Sequence, residues 1–138
     1  MTWHRVIDVE FNHCDPAGIV FYPRYFEMTN AAVESLFRDG LRHPFARLVA
    51  EGAGVPTARI EIDFRAPSRL GDRLDLALDV VALGRSSVTF RITATGGDGV
   101  MRFEGRFTLV HIGAGGRPDP WPAHLRDGLT AHLAKETP

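Results

Sequence analysis

The chain has 138 residues, 44% hydrophobic and 24% charged, with a formal net charge of -1 and a single cysteine, Cys14. That length favours one domain with a core that needs neither metal nor disulfide, and the near-neutral charge removes any bulk electrostatic case for nucleic acid or an anionic membrane. A lone cysteine cannot close an internal disulfide, no apolar run approaches the roughly 18 residues of a membrane helix, and "MTWHRVIDVEF" lacks a signal-peptide pattern, so the expected setting is the cytoplasm. There is no internal repeat and no low-complexity tract; the nearest thing to a linker is "IGAGGRPDPWP", 112–122.

In chain order, Trp3 to Phe11 reads as a strand, with Ile7, Val9 and Phe11 on one face and Asp8 and Glu10 on the other. The octapeptide "HCDPAGIV", 13–20, interrupts the pattern. A helix is expected over 24–38, where Tyr25, Phe26, Thr29, Ala32, Val33, Leu36 and Phe37 recur at steps of three and four. Pro23 suits its first position, where a missing N–H costs nothing, and Gly40 suits its C-terminal cap. A shorter helical piece is expected over 44–51. Four period-two segments follow, "ARIEIDFRAP", "DRLDLALDVVAL", "SSVTFRITAT" and "VMRFEGRFTLVHI", separated by turn-type residues. Short connections between them predict an antiparallel meander whose apolar face, Leu74, Leu76 and Leu78 with Val88, Phe90, Ile92, Phe103, Phe107 and Leu109, is covered by the long helix. The final segment "WPAHLRDGLTAHLAKE" reads as a short surface helix.

The chemistry concentrates in 13–23. Pro16 pushes Asp15 out of the α region toward extended backbone, Gly18 permits a turn, and a helix begins just beyond. The first helical turn leaves N–H groups without internal partners and carries partial positive charge, which suits a carbonyl oxygen gaining negative charge. A fixed carboxylate beside such donors fits attack on an activated carbonyl, with Asp15 as nucleophile or general base. The competing reading is structural, because "DPAG" alone is a common turn and an Asp ahead of a helix is usually a cap. Adjacent residues of an extended segment point to opposite faces, so His13 and Cys14 do not read as a catalytic pair; Cys14 reads as a packed small residue and His13 as a loop or strand-end residue. The remaining histidines lack ligand spacing, so no zinc site is expected, and "GAGG" at 113–116 lacks the context of a nucleotide loop and reads as a flexible turn.

The run "FNHCDPAGIVFYPRYFEMTNAA" resembles the signature of the 4-hydroxybenzoyl-CoA thioesterase family of hotdog-fold proteins, and "IDFRAPSRLGDRLDL" resembles that family's strand–Pro–Gly-Asp–strand segment. The resemblance covers roughly 6–112. It implies an α+β hotdog fold, with a five-stranded antiparallel sheet wrapped around one long helix. One domain then fills 1–138, its core at about 3–112 and a tail at 113–138. It implies hydrolysis of an acyl-CoA thioester without a cofactor, in dimers or tetramers whose sites lie at the dimer interface. By position, Asp15 matches the catalytic carboxylate, and Tyr22 matches the residue whose backbone N–H polarises the thioester carbonyl. Gly18, Val20 and Pro23 match the loop and helix start around the substrate. Arg85, followed by Ser86, falls in the turn where the family places groups for the CoA phosphates. "DPAG" and Pro23 stand where the short-chain branch associated with the Tol–Pal system carries "DAGG" and a histidine, which favours aryl-CoA. Hydrolysis of a short-chain acyl-CoA or of an acyl-carrier-protein thioester, and non-catalytic acyl-CoA binding, remain the alternatives.

Overall fold

A computed structural model describes residues 1–135. Five strands, β1 (Trp3–Asp8), β2 (Thr57–Phe64), β3 (Arg73–Leu83), β4 (Ser87–Gly96) and β5 (Met101–Val110), form one antiparallel sheet in the order β1-β3-β4-β5-β2. Strands β3 to β5 are the expected meander. Strand β2 departs from it, pairing with β5 from Thr57↔Leu109 to Phe64↔Phe103. Residues 65–72 are therefore a crossover between opposite sides of the sheet and not a hairpin turn.

The sheet buries the alternating face read from the sequence. Leu74, Leu76, Leu78, Val88, Phe90, Ile92, Phe103, Phe107 and Leu109 are all core residues. Helix α1 (Pro23–Ser35), with Pro23 in its first turn, lies in the concavity and continues into a π-turn, Leu36–Gly40. Tyr25, Thr29, Ala32, Val33, Leu36 and Phe37 are buried as the 3.6-residue stripe requires, together with Met28. Phe26 is only partly buried, because it faces a cavity. Gly40 is not a left-handed cap: that conformation falls on Arg42, at φ 57°. Gly40 lets Trp3 approach instead, since a Cβ there would lie 3.1 Å from Trp3 Cζ3.

Three further expectations are corrected. The first strand ends at Asp8, and a single 3₁₀ turn, Phe11–His13, follows, closed by a reciprocal Glu10–His13 capping pair. Phe11 is thereby turned out of the core, 83% exposed. Helix α2 (Phe45–Ala50) is shorter than expected. The tail helix, α3 (Ala123–Thr130), is more than a surface element, because Leu125 and Leu129 are fully buried and Trp121 is a core residue. Beyond it Leu133 bridges Val80 of β3 in parallel, with Val80 N–H donating to His132 C=O at 2.9 Å and Ala134 N–H to Val80 C=O at 2.8 Å. The tail so pairs with β3 at Val80, just beyond Leu78, where the pairing with the short β1 stops. No helix among the described residues is long and apolar enough to cross a membrane.

Candidate active site

The octapeptide folds as a small hairpin. Cys14 bridges Val20, Asp15 N–H donates to Ile19 C=O at 2.9 Å, and Phe21 N–H donates to His13 C=O at 3.0 Å. Its tip is a turn closed by Gly18 N–H donating to Asp15 C=O at 2.9 Å, with Gly18 at φ 78°. That left-handed conformation is cheap only for glycine. The half-buried Asp15 takes part in the turn as well, since its Oδ1 accepts Ala17 N–H at 2.9 Å. Its other carboxylate oxygen accepts no hydrogen bond among the described residues. The turn-forming and the reactive readings of Asp15 thus use different oxygens of the same side chain.

The hairpin is docked on the 65–72 crossover. Val20 N–H donates to Ser68 C=O at 2.9 Å, Ile19 bridges Arg69, and Leu70 N–H donates to Gly18 C=O at 3.3 Å. Ser68 is fully buried and its Oγ accepts the Tyr25 hydroxyl at 2.8 Å, tying the crossover to α1. Val20 is a core residue, 6% exposed. Beneath the crossover lies a buried arginine. Arg102 is 6% exposed, and its guanidinium donates to Asp98 at 3.1 Å, to Asp72 at 3.3 Å and to Val100 C=O at 3.1 Å. These contacts hold the guanidinium charged, Asp98 contributing most. The Asp98 carboxyl sits below its ordinary value of 3.8, first through the Val100 backbone N–H and then through Arg102.

Tyr22 stands immediately before α1. Its N–H makes no hydrogen bond among the described residues, as the leading donors of a helix do not. The hairpin register sets Asp15 across from Ile19, three residues before Tyr22, or about 10 Å of extended chain. The Tyr22 ring is 58% exposed and meets Phe64 of β2 edge-on, with centroids 6.1 Å apart. One helical turn further, Phe26, Val33, Ile60 and Phe107 line a mostly apolar cavity of about 170 Å³, with Asn30 and Thr57 as its polar side chains. Whole-ligand pockets run to roughly 300–1,000 Å³, so this space is smaller than a complete ligand site. The cavity was not legible in the sequence, because it lies between α1 and a strand whose pairing is non-local. A second depression, of about 230 Å³ on the outer face of the sheet, is lined by Glu61, Asp63, Arg91, Glu104 and Arg106, a charged setting unsuited to an acyl chain.

Arg85 and Ser86 are not brought to this hairpin within one chain. The hairpin docks just before β3 and the 84–87 turn follows β3, eleven residues further and on the order of 30 Å away. The tail pins that turn: Arg85 C=O accepts Trp121 N–H at 3.0 Å and Gly84 C=O accepts the Arg126 guanidinium at 2.7 Å. Cys14 is half-buried with its Sγ 3.6 Å from Glu10 C=O, and His13 Nδ1 accepts Glu10 N–H at 2.9 Å, so the two side chains do not pair with each other. No cluster of three or more metal-ligating side chains occurs among the described residues.

A five-stranded antiparallel sheet curled around a helix that begins at a carboxylate-bearing hairpin defines a hotdog architecture. The chain belongs to the Thioesterase-like superfamily, which it matches over residues 9–129. A 1,4-dihydroxy-2-naphthoyl-CoA hydrolase of Synechococcus elongatus is 29% identical over 79 residues, 56% of this chain and 57% of the hydrolase, so the match spans little more than half of that relative's length. A thioesterase-superfamily structure from Jannaschia sp. superposes with a TM-score of 0.88 at 28% identity, covering 97% of this chain and 94% of that one. The 1,4-dihydroxy-2-naphthoyl-CoA thioesterase of Synechocystis superposes with a TM-score of 0.87 at 20% identity over 94% and 96% of the two chains, a likeness of fold.

Proposed function

We propose that this protein hydrolyses an acyl-CoA thioester to the free acid and CoA, with an aryl-CoA as the favoured substrate class. The observation that carries the reading is the pairing on one hairpin of a carboxylate with one uncommitted oxygen and a helix-start N–H without a partner. Its chemistry is adequate to the task. The thioester carbonyl accepts a hydrogen bond from Tyr22 N–H as its oxygen gains charge. Asp15 either attacks the carbonyl carbon, giving a mixed anhydride that water then opens, or removes a proton from the attacking water. On both routes the C–S bond breaks and the sulfur leaves as the thiol of CoA. The apolar cavity beyond Tyr22 suits a flat hydrophobic acyl group, and the naphthoyl-CoA named for the Synechococcus relative is an aryl thioester.

The reading includes a homodimer. Strand β2 is an unpaired edge on which Ile60 and Phe64 are 43% and 48% exposed, and apolar strand edges are normally covered. A second copy on that edge would cover both residues beside Tyr22. Arg85 and Ser86, remote from Asp15 in one chain, contact CoA in this reading only from a neighbouring copy.

The test is thiol release from benzoyl-CoA, acetyl-CoA and a long-chain acyl-CoA by the parent and Asp15→Asn proteins. Expected is the highest kcat/KM on benzoyl-CoA and a fall in kcat on the order of 10²–10⁴ in Asp15→Asn, with acyl-CoA binding retained. A folded Asp15→Asn protein with parental turnover overturns the role of Asp15. Binding of all three thioesters with hydrolysis of none overturns the enzymatic reading in favour of acyl-CoA binding.

A further inference from the structure

We propose that Arg102 and Asp72 are positioning residues that hold the Asp15 hairpin from beneath. The inference rests on the reading of Asp15 as the reacting carboxylate. It starts from a cation where packing alone would place an apolar side chain. Arg102 is 6% exposed, yet a buried charge is costly unless its partners use it. Room is reserved for it, since a Cβ on Gly96 would lie 2.5 Å from Arg102 Nη2.

Its two carboxylate partners sit in different places. Asp98 belongs to the β4–β5 turn, where its Oδ1 accepts Val100 N–H at 3.0 Å, and among the described residues it makes no hydrogen bond to the crossover. Asp72 belongs to the crossover. The same Oδ2 that faces Arg102 accepts Arg69 N–H at 2.9 Å, and Asp72 N–H donates to Arg69 C=O at 3.0 Å. Asp72 C=O also accepts Val9 N–H at 2.8 Å, and Gly71 N–H donates to Val9 C=O at 3.0 Å. The 69–72 turn is thus fixed on three sides, and the hairpin rests on it through Ile19–Arg69 and Gly18–Leu70. Arg102 braces the other end as well, its C=O accepting the N–H groups of Arg65 and Ala66 at 2.8 and 3.2 Å. A continuous path of hydrogen bonds therefore runs from a buried guanidinium to the turn that carries Asp15. Catalytic groups misplaced by about 1 Å lose on the order of 10²-fold in rate, so the support beneath them is functionally costly to remove.

The test compares Asp72→Ala with Asp98→Ala. Each removes one carboxylate from the same cation, and only the first frees Arg69 N–H. Turnover of benzoyl-CoA is measured together with amide hydrogen exchange at Val20 and Leu70, the two N–H groups that bond across the dock. Asp72→Ala is expected to lower kcat about tenfold or more with KM held within about threefold, and to speed exchange at both amides about tenfold. Asp98→Ala is expected to change kcat by less than about twofold and to leave both amides protected. Asp72→Asn keeps an acceptor for Arg69 N–H, so its kcat is expected between those of Asp72→Ala and the parent; it stands in if Asp72→Ala does not fold. Equal losses in the Asp72 and Asp98 variants, or unchanged exchange in Asp72→Ala, overturn the proposal. A loosened hairpin with kcat untouched also overturns it. The Asp15→Asn control then locates the fault: parental turnover there means the reading of Asp15 failed, and lost turnover means the support from Asp72 was not needed.

Discussion

The contact between the Tyr25 hydroxyl and Ser68 Oγ can be measured by a double-mutant cycle. Both residues are buried, 5% and 0% exposed, and the 2.8 Å bond joins α1 to the crossover under the hairpin. Tyr25→Phe keeps the ring and its packing on Phe103, centroids 4.9 Å apart, so the change is confined to one hydroxyl. The loss leaves Ser68 Oγ buried without its donor, which costs about 1–3 kcal/mol, and Ser68→Ala does the same to the tyrosine. The double variant leaves no orphan, so its cost should fall short of the sum of the two by about 1 kcal/mol or more. Four urea melts with a common m-value give the coupling. Single losses below about 0.5 kcal/mol that simply add would mean the hydroxyls are hydrated in solution, and that helix and crossover are joined by apolar packing alone.

Leu129→Ala in α3 should destabilise the protein by about 2–5 kcal/mol, lowering Tm on the order of 10 °C, because the side chain is fully buried; a loss under about 1 kcal/mol in a urea melt would place the tail outside the core. In acid, Asp98 stabilises the fold above its unfolded value of 3.8, and this contribution is lost as pH falls from there through its depressed folded value. Asp98→Asn should therefore shrink the drop in Tm below about pH 4, and parallel acid limbs for the two proteins would show that Asp98 contributes nothing there.

Local patterning carried the inner faces of β3, β4 and β5, where alternate apolar residues share one side, and the helical stripe from Tyr25 to Phe37. It did not carry what long-range pairing decides. The 65–72 stretch has the composition of a hairpin turn, and only the pairing of β2 with β5 makes it a crossover with room to seat another loop. Arg102 escaped notice for a related reason. A register shift between Ala94 and Thr95 puts Arg102 and Phe103 inside in succession, against the period of two. Phe11 was misread because the Glu10–His13 pairing that ends the strand is not a recognised start signal. In the tail, Leu125 and Leu129 are only two apolar residues at helical spacing. Their burial depends on Gly128, where a Cβ would lie 2.7 Å from Leu41 Cδ2, and nothing local announces that approach. Asp15 and Gly18 were legible because turn chemistry is local. The cavity beyond Tyr22 was not, because it exists only between elements distant in sequence.

The parallel bridge between Leu133 and Val80 bears on how far association can propagate. A fibre built by continuing a sheet needs two fronts, one receiving a copy and one offered to the next. Here β1 is a six-residue strand carrying His4, Arg5 and Asp8, and beyond it β3 is already occupied by the chain's own tail. That leaves β2 as the receptive front, and a copy added there about a two-fold axis consumes both β2 edges at once. In the proposed homodimer, growth would end at two sheets, with the short β1 strands facing outward. Cutting the chain before residue 132 would uncover Val80 of β3 and give the proposed dimer a second surface on which it could lengthen.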